Sequence, residues 1–184
     1  MKIVAGHFRG RKLFVPKNND IRPTSDKIRG AVFNMLQSRG VLDGAHVLDA
    51  FCGTGALGLE ALSRGASSCV FMDKARDSLS LAQDNADMLG VEAAFLLRDA
   101  TKLNIRTENI PAYNLVFLDP PYAKGLVFTT LQGLLDGDWI APEGWIVCEA
   151  ERAFTYSGIA GCEMDNEKTY GDTKITLIRL TNHA

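Results

Sequence analysis

At 184 residues the chain has the size of one domain, long enough to bury roughly 70% of its unfolded surface without disulfide or metal staples. Its 46% apolar and 23% charged residues are ordinary for a soluble globular protein. No apolar run reaches the roughly 18 residues of a membrane span, and no secretory leader is recognisable. The net charge of −2 hides an asymmetry. Residues 1–39 hold nine basic and two acidic side chains, +7, which leaves −9 for the rest. An acidic body with a basic arm predicts a polyanionic partner meeting one side of the protein.

The arm comes first. Residues 2–5 and 11–15 are short strand-like runs around Gly6-His-Phe-Arg-Gly10, a pattern that predicts a small hairpin. Its loop offers Arg9, Arg11 and Lys12 beside Phe8. Cations next to an aromatic ring suit a phosphate backbone and a stacked base; alternatively Phe8 covers the apolar side of the hairpin. A turn-rich stretch follows through Pro23. Thr24 or Ser25 then caps a helix whose stripe is Ile28, Val32, Met35 and Leu36, ending near Arg39-Gly40. Lys27 and Arg29 need not be buried by that packing, and Arg29 joins the candidate RNA-binding residues.

From Val41 the pattern changes to alternating strands and helices. Strands are expected at 46–50, 68–72, 92–97, 113–118 and 145–148, with helices at 56–64, 75–89 and 126–135. That alternation predicts a mostly parallel sheet covered on both faces. The tail, 161–167 and 173–180, reads as a closing hairpin joined by Lys168-Thr-Tyr-Gly-Asp172. Residues 1–40 thus form a basic extension and 41–184 the main domain. The four cysteines match no metal-binding spacing, and Cys69 and Cys148 read as buried thiols. A reducing, cytoplasmic setting is expected.

Four expected strands end in an acidic residue: Asp49, Asp73, Asp99 and Asp119. Open α/β sheets bind ligands at this edge. Gly53 and Gly55 permit a tight turn and close ligand approach. Asp73, 18 residues after Gly55, suits a ribose diol, and Asp99 with its neighbours suits an adenine. Gly53-Thr-Gly55-Ala-Leu-Gly58 is a weak match to a dinucleotide fingerprint. Asp49 directly before the loop would repel a pyrophosphate but favour the ammonium of an amino-acid tail. S-adenosylmethionine is therefore favoured over a nicotinamide dinucleotide.

Asp119-Pro-Pro-Tyr122 ends the fourth strand. Two prolines lack N–H groups and make a rigid strip of carbonyl acceptors, to which the Asp119 carboxylate adds. Such a strip grips the hydrogens of a planar amino group, and Tyr122 can stack on the ring that carries it. A nucleobase with an exocyclic amine fits, swung out of its stack.

These motifs together resemble the class I S-adenosylmethionine-dependent methyltransferases. More closely, the chain is similar to the bacterial guanine-N2 methyltransferases of small-subunit (16S) ribosomal RNA, the RsmD family. The resemblance rests on Ile3-Val-Ala-Gly-His-Phe-Arg-Gly-Arg-Lys-Leu13, Arg22-Pro-Thr-Ser-Asp-Lys-Ile-Arg29, Phe33-Asn-Met-Leu36, the stretch from Asp49 to Gly65, Asp119-Pro-Pro-Tyr122 and Lys168-Thr-Tyr-Gly171. It implies a Rossmann-like α/β fold with a seven-stranded, mostly parallel sheet whose last strand is antiparallel. It implies cofactor contacts at Asp49, Gly53, Gly55, Asp73 and Asp99, with Lys74, Ala100 and Asp119 beside them and Arg22 and Thr24 close by. It implies target-base contacts at Asp119, Pro120 and Tyr122. The implied partner is ribosomal RNA in an assembled or partly assembled 30S particle. The sequence itself offers no convincing metal cluster and no membrane span, and a monomer is expected because no spare apolar helix is evident. Two departures stand out: Asp73 where many relatives carry glutamate, and Gly30 where relatives usually have glutamate. Competing readings are adenine-N6 methylation of nucleic acid, methylation of a protein glutamine, a non-catalytic RNA-binding assembly factor, and a nicotinamide-dependent oxidoreductase.

Overall fold

The computed structural model describes residues 1–16, 25–122 and 125–181. Four α-helices are present among them: α1 (Asp26–Ser38), α2 (Ala56–Ser63), α3 (Arg76–Leu89) and α4 (Leu126–Asp136). The strands are β1 (His46–Asp49), β2 (Ser68–Asp73), β3 (Ala94–Leu97), β4 (Tyr113–Leu118), β5 (Ile140–Glu151), β6 (Cys162–Tyr170) and β7 (Thr173–Leu180). They form one seven-stranded sheet in the order β3-β2-β1-β4-β5-β7-β6. β1 to β5 are parallel, and β7 runs antiparallel to both β5 and β6.

Both sheet faces are covered, so the central strands are apolar throughout rather than alternating. Val47, Leu115 and Phe117 point to a core closed by Val32, Phe33 and Leu36 of α1, Leu59 of α2 and Leu79 of α3. Leu48, Val116 and Leu118 point the other way, onto Val127, Leu131 and Leu134 of α4 and Trp139. The order reverses between β1 and β4. Such a switch point opens a crevice at the carboxyl ends of the strands.

The largest differences from the expected bounds are in β5, β6 and β3; the other elements agree to within a residue at each end. β5 starts five residues early, at Ile140, because Ile140 pairs with Tyr113 before the ladder shifts register and resumes at Leu115 and Trp145. β6 runs through Lys168 to Tyr170, so Gly171-Asp172 alone turns into β7, with Gly171 at φ 61°. β3 begins at Ala94. At α1, Ser25 is the cap, accepting from the Ile28 N–H.

The amino-terminal arm folds into the same core. Lys2 and Lys12 form a single antiparallel bridge, and Ile3 and Leu13 are buried with α1 and α2. Glu60 of α2 fastens the arm: its carboxylate accepts from Val4 N at 2.7 Å and Ala5 N at 3.0 Å. The same carboxylate takes Arg64 Nε at 2.8 Å and Arg29 Nε at 3.4 Å. Arg29 is fully buried and also reaches Asp26 and the Lys2 carbonyl. This corrects the expectation that Arg29 is an RNA contact. Glu60 sits in the core with several donors to satisfy it, and Arg29 is one of them.

Candidate active site

In sheet order, the carboxyl ends of β3, β2, β1 and β4 carry Asp99, Asp73, Asp49 and Asp119, and Glu149 lies within β5, near its carboxyl end and level with the end of β4. Residues far apart in the chain thus form one acidic edge along the crevice. Its middle is the loop from β1 to α2. Gly53 and Gly55 have φ of 50° and 77°, left-handed values that side chains disfavour. Gly55 caps α2 without a side-chain hydrogen bond. Gly58 serves packing instead: a Cβ there would lie 2.4 Å from the Phe71 ring and 2.6 Å from Cys69 Sγ. Its absence lets α2 press against β2.

Asp49 is buried, and its carboxylate accepts from Gly58 N at 3.0 Å. Burial, with the charge of Asp73 adding to it, raises its pKa to about 7 despite that hydrogen bond. Asp73 accepts from Gly53 N at 3.1 Å and Ala75 N at 2.9 Å, so the ends of β1 and β2 are tied together. Asp99 accepts from both the hydroxyl and the N–H of Thr101, which hold its pKa below the ordinary carboxylate value. Ala100 is buried beside it, and Lys74 is exposed after Asp73. Arg22 and Thr24, expected near the cofactor, lie outside the described residues.

This donor set fits S-adenosylmethionine. A carboxylate whose burial costs it ionisation is stabilised by a nearby cation. Asp73 and Asp99 supply acceptors for a diol and an amine, and the glycine turn lets a ligand approach the backbone.

The Asp-Pro-Pro-Tyr strip borders the same crevice. Pro120 is buried, Asp119 is half-buried, and Tyr122 is half-buried. Pro120, Pro121 and Tyr122 line a pocket with Leu126, Glu149 and Phe154. The Tyr122 hydroxyl lies 2.9 Å from Thr173 Oγ1 and donates to Glu149 Oε1 at 3.3 Å. Burial raises the Tyr122 pKa to about 12, so the phenol stays neutral.

The candidate RNA residues separate. Arg9 and Lys12 are exposed; Arg11 is exposed too and donates to the Met88 carbonyl at 3.0 Å. Phe8 packs against the core, edge-on to His7. It takes the covering role of its two expected ones. Phe14, absent from the candidates, is 53% exposed.

Three buried acidic or amide residues at the site and its supports were not marked by the motifs. Glu60 and Asn85 are fully buried polar groups, and each interrupts an apolar helix face, which is the signal that could have found them. Glu149 follows Cys148 in β5 as Asp119 follows Leu118, the pairing partner of Cys148 in β4, so it stands level with the strip although β5 runs on to Glu151.

Residues 1–179 match the family model described as Conserved hypothetical protein 95. Ribosomal RNA small subunit methyltransferase D of Escherichia coli K12 is 38% identical over 152 residues, 82% of this chain and 75% of that protein. The chain belongs to the RsmD family. Its Haemophilus influenzae namesake is 31% identical over 155 residues, 83% of this chain and 79% of that one. The solved structure of Escherichia coli yhhF, provisionally assigned as a methyltransferase, superposes with a TM-score of 0.85 at 33% identity, covering 98% of both chains. The seven-stranded sheet with its reversed final strand is the class I methyltransferase fold. Among the described residues, no helix is long and apolar enough to cross a membrane, and no three His, Cys, Asp or Glu side chains group as metal ligands.

Proposed function

We propose that this protein transfers a methyl group from S-adenosylmethionine to the exocyclic N2 of a guanine in 16S ribosomal RNA, within the assembled or assembling small subunit. The observation that carries the reading is the adjacency of the glycine loop of β1 and the Asp-Pro-Pro-Tyr strip of β4 at the sheet's switch point. Bound at the glycine loop, S-adenosylmethionine supplies a methyl group on a positively charged sulfur. Asp49, Asp73 and Asp99 hold it by charge and hydrogen bonding, with Lys74 and Ala100 alongside.

The amine of guanine is a poor nucleophile, because its lone pair is delocalised into the ring. The Asp119 carboxylate and the Pro120 carbonyl accept its hydrogens and draw them out of the ring plane, which localises the pair. Both acceptors also favour the positive charge that grows on nitrogen during attack, and fixed electrostatic help of this kind often lowers a barrier more than any other effect. Tyr122, anchored by Glu149 and Thr173, stacks on the base and orients it, worth several kcal/mol at the orders of magnitude known for positioning. The proton then leaves to Asp119 or to water. Arg9, Arg11 and Lys12 hold phosphates around the pocket, so residues 1–40 act as an RNA-binding extension built into the body.

The test is methyl transfer from labelled S-adenosylmethionine to hypomethylated small subunits and to naked ribosomal RNA, with the modified nucleoside identified by mass spectrometry. N2-methylguanosine is the expected product. N6-methyladenosine would keep the pocket chemistry and overturn the base. Cofactor binding without transfer to either substrate would overturn the reading.

A further inference from the structure

β4 and β5 are paired in parallel up to Leu118 and Cys148. The next residues, Asp119 just past the end of β4 and Glu149 within β5, therefore stand side by side on adjacent strands, which lie about 4.8 Å apart in a sheet. Glu149 is only 7% exposed, yet it lines the pocket beside Pro120 and Tyr122. Its Oε1 is held by the Tyr122 hydroxyl, itself braced on Thr173. Methyl transfer through Asp119, Pro120 and Tyr122 gives this carboxylate no direct role at the base.

Base chemistry supplies one. Adenine and cytosine both carry their exocyclic amine next to a ring nitrogen with a lone pair. Guanine alone carries it next to a ring N–H, so N1–H and N2–H are neighbouring, parallel donors. Two acidic residues side by side on neighbouring strands match that pair of donors. Against adenine or cytosine the second carboxylate would meet a lone pair, a charged repulsion in place of a hydrogen bond.

We propose that Glu149 is the specificity-determining residue of the pocket: it accepts guanine N1–H while Asp119 takes a hydrogen of N2. The assignment rests on guanine as the substrate and explains how that base is chosen. Sites built to bond one polar group reject analogues lacking it by orders of magnitude.

The experiment uses 2-aminopurine, which keeps the 2-amino group but has a lone pair at N1. After the modified nucleotide is mapped, small subunits are reconstituted from ligated RNA carrying guanosine or 2-aminopurine riboside there. Native enzyme is expected to favour guanosine at least 100-fold in kcat/KM. In Glu149→Gln the amide can donate to N1, and that ratio is expected to fall at least tenfold. A folded Glu149→Gln enzyme with the native ratio overturns the assignment while leaving guanine as substrate. Native enzyme accepting both bases within threefold also overturns it, and needs no variant. Native enzyme yielding N6-methyladenosine fails the substrate reading itself, and mass spectrometry separates that failure from the other two.

Discussion

The side-chain amide of Asn85 on α3 donates to the backbone carbonyl of Thr54, inside the glycine loop, at 2.9 Å. The same side chain pairs with the backbone of Phe14, accepting from its N–H at 2.7 Å and donating to its carbonyl at 3.1 Å. One buried amide thereby joins the glycine loop to the amino-terminal hairpin. Asn85→Ala removes three bonds and leaves three backbone groups without partners. A fully buried unmet group costs about 1–3 kcal/mol, and the two Phe14 groups are only part-buried and cost less, so a loss of about 3–5 kcal/mol is expected. At about 2–4 °C per kcal/mol for this chain length, thermal unfolding should fall by roughly 6–20 °C. Calorimetry below the new midpoint should find S-adenosylmethionine bound at least fivefold more weakly. An unchanged midpoint and affinity would mean that the loop is held without this residue.

Asp49 makes the pH dependence specific. Its pKa is raised to about 7 in the folded chain, from an ordinary 3.8. Between those values the folded state keeps a proton that the unfolded state has released. Stability therefore falls as pH rises from about 4 to 7, and this contribution levels off above 7. Three units correspond to something on the order of 4 kcal/mol. Asp49→Asn should flatten the stability profile over that window in denaturant titrations. A cationic ligand favours the ionised form, so binding of S-adenosylmethionine below pH 7 should release protons. Calorimetry in buffers of different ionisation enthalpy reads that release, and Asp49→Asn should diminish it.

Arginines of the arm separate into two kinds. Arg9→Ala with Arg11→Ala removes two exposed cations. RNA affinity should drop, and the slope of log affinity against log salt should shrink by about 1–2, with cofactor affinity unchanged. Arg29→Ala should do the reverse. Removing one partner from a buried ion pair costs about 3–5 kcal/mol, because Glu60 stays in the core beside Val4 and Ala5. Its signature is a lower unfolding midpoint with a native salt slope. A reduced slope for Arg29→Ala at a native midpoint would return this residue to the RNA surface.

Tyr122 should tolerate loss of its hydroxyl better than loss of its ring. Tyr122→Phe gives up the bonds to Glu149 and Thr173 but keeps the stacking face, and kcat should fall by less than tenfold. Tyr122→Ala removes the face that orients the base, and about 100-fold is expected, within the range that positioning supplies. Equal losses in the two variants would assign the effect to the hydroxyl. With a pKa near 12, the phenol should leave no step in the rate profile between pH 6 and 10.

By itself the sequence determined what depends on neighbours along the chain. Helix and strand periods, the Gly53 and Gly55 turn, the Ser25 cap region and the acidic strand ends are all local, and each has a reading that does not need the rest of the molecule. Resemblance then tied those pieces to a family. Tertiary structure decided what depends on pairing across distance. Arg29 reads as a surface cation in its helix, yet Glu60, 31 residues away, draws it into the core. Pairing of Ile140 with Tyr113 starts β5 ahead of Pro142 and Gly144, outside the expected strand at 145–148. Asn85 reads as one polar residue on a helix and becomes the link between arm and loop only when both fold against it. Glu149 comes to stand beside Asp119 only because β5 lies beside β4. Strand order is set by long-range burial of both sheet faces, a sum over many weak contacts that no single stretch of the chain encodes.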